Sequence, residues 1–248
     1  AKHFGVDVLL GPGINMKRNP LCGRNFEYFS EDPYLTGKMA AAYVRGIQQQ
    51  GVASCIKHFA VNSQETIRMA MNARLDERTL RELYLTAFEI AVKEGDAKAI
   101  MSSYNEVNGI YANENKHLLT DILREEWGFN GIVISDWGGC NRFDDAVRAG
   151  SNLQMPAPGF DTARQVVEAV KNGTLSIEDV NDRIEEQLRF IFSLKENTSS
   201  EKSNLNHEHH HQLAYEAATK SIVLLKNNDN LLPLDNNIKI VVVGDFAF

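Results

Sequence analysis

Short, nearly continuous apolar runs punctuate the first two-thirds of the chain: Val6–Leu10, Val52–Ile56, Ala99–Ser103, Gly131–Ser135 and Ser151–Met155. Each is bounded by polar or turn residues, and those near Val52 and Ile132 are rich in β-branched side chains. A strand covered on both faces reads this way, because it has no solvent side on which polar residues would alternate. Between the runs the pattern changes to a helical one. Tyr34–Gln50 follows Ser30-Glu31-Asp32-Pro33, a good helix start, and Glu77–Glu94 carries Leu80, Leu83, Tyr84, Ala87, Phe88 and Ala91 at helical spacing. Lys116–Trp127 and Arg142–Ala149 continue the alternation, and Thr162–Asn172 and Ile177–Ser193 read as two consecutive helices. Repeated strand-then-helix order predicts an α/β fold with a parallel sheet.

The ends of the runs refine that expectation. Arg24 follows the first through a loop, Lys57-His58 ends the second, Tyr104-Asn105 the third, Asp136-Trp137 the fourth and Met155-Pro156 the fifth. Chemistry-bearing residues at the C-terminal end of strand after strand are the layout of a (β/α)8 (TIM-like) barrel. A doubly wound sheet would gather its site at one switch point instead. Five strands fall short of closure, so residues 1–193 are expected to form an incomplete (β/α)8-type barrel, with the other strands supplied by the rest of a longer protein. Residues 194–209 turn polar and Ser/Asn-rich, as a linker does. Residues 210–248 then predict a helix over Gln212–Lys226 and a strand over Lys239–Gly244, the start of a second domain.

Composition narrows the function classes. A hydrophobic content of 43% can supply a sizeable core. The net charge of −7, with no basic cluster, argues against a nucleic-acid partner. No run has the apolar length of a membrane span. Ala1–Phe4 lacks the apolar region of a signal peptide, and the compartment stays open, a bacterial periplasmic or secreted one being favoured over the cytoplasm. Cys22, Cys55 and Cys140 form neither a disulfide framework nor a metal-ligand pattern; they read as free thiols, with a Cys22–Cys55 bridge as the alternative.

Several ordered motifs carry a resemblance. Asn19-Pro20-Leu21-Cys22-Gly23-Arg24-Asn25-Phe26-Glu27-Tyr28-Phe29-Ser30-Glu31-Asp32-Pro33 resembles the Gly-Arg-x-x-Glu…Ser-Glu-Asp-Pro signature of glycoside hydrolase family 3. Lys57-His58-Phe59 followed by Asn62, Gln64, Glu65 and Arg68 is similar to its Lys-His-Phe segment. Asp76–Glu82, Ser103-Tyr104-Asn105 and Val223–Asn227 also match, and Val133-Ile134-Ser135-Asp136-Trp137-Gly138 looks like the nucleophile motif. The resemblance spans essentially the whole chain. It implies a barrel followed by an α/β sandwich, and hydrolysis of terminal β-linked sugars, β-D-glucose first and β-xylose as the alternative, with retention of configuration and without metal or organic cofactor. It places the general acid/base glutamate in the sandwich, outside these residues. It also implies an incomplete site, so a non-catalytic carbohydrate-binding or assembly fragment is the rival reading.

Within that resemblance Asp136 is the expected nucleophile, attacking the anomeric carbon to give a covalent glycosyl intermediate; a strand-end cap is the plainer alternative. Tyr104 would orient it through its hydroxyl. Lys57, His58, Arg24 and Arg68 would bind sugar hydroxyls, and Trp137 would offer an apolar face to the ring. Glu27 and Glu65 read as supports for Arg24 and Arg68. The family's N-acetylglucosaminidase branch carries a His–Asp dyad soon after Lys-His-Phe. No histidine lies between His58 and His117, which points to the glucosidase or xylosidase branch. His207-Glu208-His209-His210-His211 formally matches the zincin pattern, but it leaves a polar linker and has no third histidine downstream, so no metal site is expected there.

Overall fold

The computed structural model describes residues 1–157, 159–196 and 205–247, and the chain divides into two compact units at residues 203 and 204. In the first, four parallel strands lie side by side: β1 (Val8–Leu9), β2 (Ala53–Phe59), β4 (Ala99–Ser102) and β7 (Ile132–Ile134), in that order. Helix α1 (Pro33–Gln48) connects the first pair, the helical stretch α2 (residues 77–93) the second, and α3 (His117–Glu126) the third. Beyond β7 come α4 (Phe143–Ala149), α5 (Phe160–Lys171) and α6 (Ile177–Glu196). The parallel α/β architecture expected from the apolar runs is therefore present.

Helix starts follow the sequence closely. Asp32 caps α1 by accepting the Leu35 N–H at 2.6 Å, with Pro33 at the first turn, where a missing N–H costs nothing. Asp76 caps α2 through both the Thr79 N–H and the Thr79 hydroxyl, at 2.9 and 2.8 Å. Alternate strand residues face opposite sides. Ile56, Ile100 and Val133 pack against the helices with Phe59, Phe88, Leu118, Ile122 and Trp127. Ala53, Cys55, Ala99, Met101, Ile132 and Ile134 turn the other way, where Phe190 of α6 covers them. Burial on both faces is why these strands read as continuous apolar runs.

Four features differ from the expectation. Ser151–Met155 does not form a strand; it makes one parallel bridge, Leu153 to Ile134, because the Asn152 side chain itself takes the Val133 N–H at 2.8 Å. A ladder donor bonded to a side chain is unavailable to a neighbouring strand. A second small sheet has no counterpart among the apolar runs: β3 (Asn72–Ala73) pairs with β5 (Glu106–Val107), which forms a hairpin with β6 (Ile110–Tyr111). Its turn, Asn108-Gly109, has φ of 53° and 91°, and Asn-Gly is the sequence signal for such a turn. In the second unit α7 spans His207–Ser221, starting earlier than expected because Asn206 caps it by accepting the His209 N–H at 3.0 Å. Residues 239–244 form no strand: a strand exists through its ladder partner, and Ile240, Val241 and Val243 stand exposed.

Residues 197–204 of the expected linker lie outside the described residues. Among those described, no helix is long and apolar enough to cross a membrane, and the three cysteines are free thiols.

Candidate active site

The C-terminal ends of β2, β4 and β7 bring the expected residues together. Asp136 lies two residues past the end of β7, after Ser135, and is 8% exposed. Its Oδ1 accepts the Trp137 N–H at 2.7 Å. The chain then turns sharply: Gly138 has φ of 79°, its N–H donates to the Met155 carbonyl at 2.7 Å, and the Gly139 N–H returns to the Asp136 carbonyl at 2.8 Å. Only glycine takes that left-handed conformation without steric cost. Asp136 Oδ2 is buried and has no hydrogen-bond partner. His58 Nε2 stands 3.5 Å and Arg24 Nη1 3.9 Å from it, and the Tyr104 hydroxyl interacts with the same carboxylate.

The cations around this carboxylate are each held by another. Glu27 receives Arg24 Nε at 2.5 Å through Oε1 and faces Lys57 Nζ at 3.4 Å through Oε2. Glu65 holds Arg68 at 2.7 Å, and the Arg68 guanidinium stacks 4.6 Å from the centre of the Tyr104 ring. Burial alone would lower the Arg24 pKa, but the bond to Glu27 and the nearby acidic groups raise it above its ordinary value. Burial, then the Asp136 charge, push the Tyr104 hydroxyl upward, so Tyr104 stays protonated beside the carboxylate. Trp137 is different: the residue is 57% exposed.

His58 is 1% exposed, and burial, reinforced by Arg24, Lys57 and Arg68, drives its pKa down to about 2. It is neutral, so its approach to Asp136 is a dipolar contact and not an ion pair. Two residues without a role in the sequence reading support it. Asn15 Oδ1 accepts the His58 N–H at 2.7 Å while Asn15 Nδ2 donates to the His58 carbonyl at 2.9 Å, and Tyr28 Oη lies 3.3 Å from His58 Nδ1. Tyr28 sits inside a quoted motif, one residue after Glu27, but only the fold brings it to a ring 30 residues away.

His207 to His211 all lie at the N-terminal end of α7, and among the described residues no group of three or more metal-ligating side chains is assembled.

Comparison with known proteins gives a consistent family. The family model for the glycosyl hydrolase family 3 N-terminal domain matches residues 1–190. The chain is 48% identical over 242 residues to thermostable β-glucosidase B of Acetivibrio thermocellus, covering 98% of this chain and 32% of that protein. It is 44% identical over 251 residues to an exo-α-(1→6)-L-arabinopyranosidase of Bifidobacterium longum, covering 98% and 33%. The structure of β-glucosidase 3B from Thermotoga neapolitana in complex with glucose superposes with a TM-score of 0.88 at 44% identity, over 95% of this chain and 34% of that one. The chain thus spans about a third of the length of these relatives.

Proposed function

The chain belongs to glycosyl hydrolase family 3, and from that premise we propose that the protein containing it removes terminal β-linked sugars, β-D-glucose first, with Asp136 as nucleophile. One observation carries the reading: a strand-end carboxylate with one oxygen anchored by a backbone N–H and the other, Oδ2, buried and unpartnered among cations. Oδ2 accepts no hydrogen bond of good geometry from the protein. It attacks the anomeric carbon as the bond to the leaving oxygen breaks, giving a glycosyl ester. Water then attacks the same carbon, and Asp136 departs with the electron pair.

A second carboxyl group, about 5–5.5 Å from the nucleophile, must protonate the leaving oxygen and later deprotonate the water. We assign that role to no residue here; the family resemblance puts it in a sandwich domain beyond these residues. On the same reading the four-stranded sheet is an arc of a (β/α)8-type barrel formed by residues 1–193, residues 194–209 a linker, and 210–248 the start of the sandwich. Arg24, Lys57, His58 and Arg68 donate to sugar hydroxyls, Tyr104 orients Asp136, and Trp137 covers the ring face. The arabinopyranosidase relative favours one second reading, a pentopyranoside such as an α-L-arabinopyranoside, and the sequence resemblance keeps a β-xyloside as the other alternative.

The test is covalent trapping. The full-length protein is incubated with 2,4-dinitrophenyl 2-deoxy-2-fluoro-β-glucoside, whose activated leaving group needs no acid and whose fluorine slows breakdown of the ester. Label on the Asp136 peptide is expected. Label on another carboxylate, or wild-type turnover by Asp136→Ala, would sink the assignment.

A further inference from the structure

We propose that Tyr28 is a positioning residue that fixes the tautomer of His58, holding the single ring proton on Nε2 so that it points at Asp136 Oδ2. The inference uses the nucleophile assignment only for its kinetic consequence; the tautomer itself is a property of the ligand-free site.

A neutral imidazole has one N–H and one lone pair, and its surroundings choose which nitrogen carries which. Nε2 faces Asp136 Oδ2 at 3.5 Å. Nδ1 faces Tyr28 Oη and Asn15 Oδ1, both at 3.3 Å. The orientation of the Asn15 amide is settled by its two backbone contacts with His58, so its oxygen, an acceptor, is the atom on the Nδ1 side. Tyr28 is therefore the one of these neighbours that can donate to Nδ1. It has the proton to do so, since burial pushes its hydroxyl pKa well above the ordinary tyrosine range.

With the proton on Nε2, Nδ1 accepts from Tyr28, which offsets the Asn15 oxygen beside it, and Nε2–H turns its positive end toward Oδ2 at 3.5 Å, a dipolar approach without a formed hydrogen bond. With the proton on Nδ1, the Nε2 lone pair would confront Oδ2, acceptor against acceptor, in a site where His58 is 1% and Tyr28 4% exposed. Removing the Tyr28 hydroxyl reverses the balance on the other side. Nδ1 would then face only the Asn15 oxygen, and protonating Nδ1 would relieve that clash. The packing around Tyr28 is built to hold it there: a Cβ on Gly13 would lie 3.0 Å from two atoms of the Tyr28 ring, so glycine leaves the room the ring needs.

The experiment reads the tautomer directly. Full-length protein labelled with ring-15N histidine is examined by NMR without ligand, and the His58 signals are assigned by their loss in His58→Gln. Wild type is expected to show the Nε2–H pattern. Tyr28→Phe keeps the ring but should populate the Nδ1–H form, and kcat should fall about tenfold, the worth of one buried hydrogen bond. 3-Fluorotyrosine at position 28 restores the donor and should restore the wild-type pattern, which a merely space-filling role would not require. The proposal is overturned if wild type shows Nδ1–H, an outcome readable even if the Phe variant does not fold, or if Tyr28→Phe leaves the tautomer unchanged. Failure to trap Asp136 would remove the glycosidase reading and leave the tautomer result standing.

Discussion

Glu27→Gln in the full-length protein perturbs the site without altering Asp136. Glu27 ties two cations at once, Arg24 at 2.5 Å and Lys57 at 3.4 Å. The substitution keeps the shape and one carbonyl acceptor but deletes the charge. A hydrogen bond to a charged group contributes about 1.5–3 kcal/mol net. The Arg24 and Glu27 side chains each retain 19% exposure, so solvent screens part of this, and the lower end, roughly 1.5 kcal/mol, is appropriate. The loss falls on Arg24, whose Nη1 reaches toward Asp136 Oδ2 at 3.9 Å, and on Lys57, freed to wander from the strand end. The expected outcome is about a tenfold fall in kcat/KM for an aryl β-glucoside, since 1.4 kcal/mol corresponds to a factor of ten. Glu27→Ala, which removes the acceptor altogether, should cost more than Glu27→Gln. Steady-state kinetics on the two variants check both statements. Wild-type kcat/KM within twofold for Glu27→Gln would refute the view that this carboxylate organises the cations.

Two further outcomes follow from the same geometry. His58 has a folded pKa of about 2 against an ordinary 6.5, so below pH 6.5 the unfolded chain takes up a proton that the folded one refuses. The stability that neutral His58 contributes is complete above pH 6.5 and falls as pH drops, by roughly 2 kcal/mol between pH 6.5 and 5; urea midpoints at several pH values should show a shallower acid slope for His58→Gln than for wild type. Gly138→Ala has room for its Cβ, which would lie 3.7 Å from Met69 Cε, but φ of 79° costs a non-glycine residue about 1–2 kcal/mol; a lower urea midpoint and slower trapping of Asp136 are expected.

What was legible in the sequence, and what was not, divides along one physical line. Strands buried on both faces announce themselves as apolar runs, so β2, β4 and β7 were found nearly in place. Local partnerships were legible too: Arg24–Glu27 and Glu65–Arg68 lie three residues apart, within reach of each other whatever the wider fold. Long-range support was not. Asn15 and Tyr28 reach His58 across 43 and 30 residues, and nothing in their local sequence says which ring they will meet. The Asn108-Gly109 turn carries a local signal, but its two-residue strands are too short to show alternation. Residues 239–244 failed in the opposite sense: their apolar character was clear, but a strand is a relation between segments.

The charges at the site favour an uncharged ligand. Arg24, Lys57 and Arg68 supply three positive charges, and Glu27, Glu65 and Asp136 three negative ones, while His58 is neutral. A charged ligand would upset that balance in a partly buried site; a neutral sugar would not. The balance is uneven in space, however. Glu27 and Glu65 are consumed by the cations, whereas Asp136 keeps one oxygen without a hydrogen bond. On the proposed assignment, positive charge that builds on the anomeric carbon as the glycosidic bond breaks is met by a carboxylate oxygen that accepts no hydrogen bond from the protein. A preorganised charge of that kind acts where charge develops in the transition state and adds little in the ground state, which is the condition for raising rate and not merely affinity.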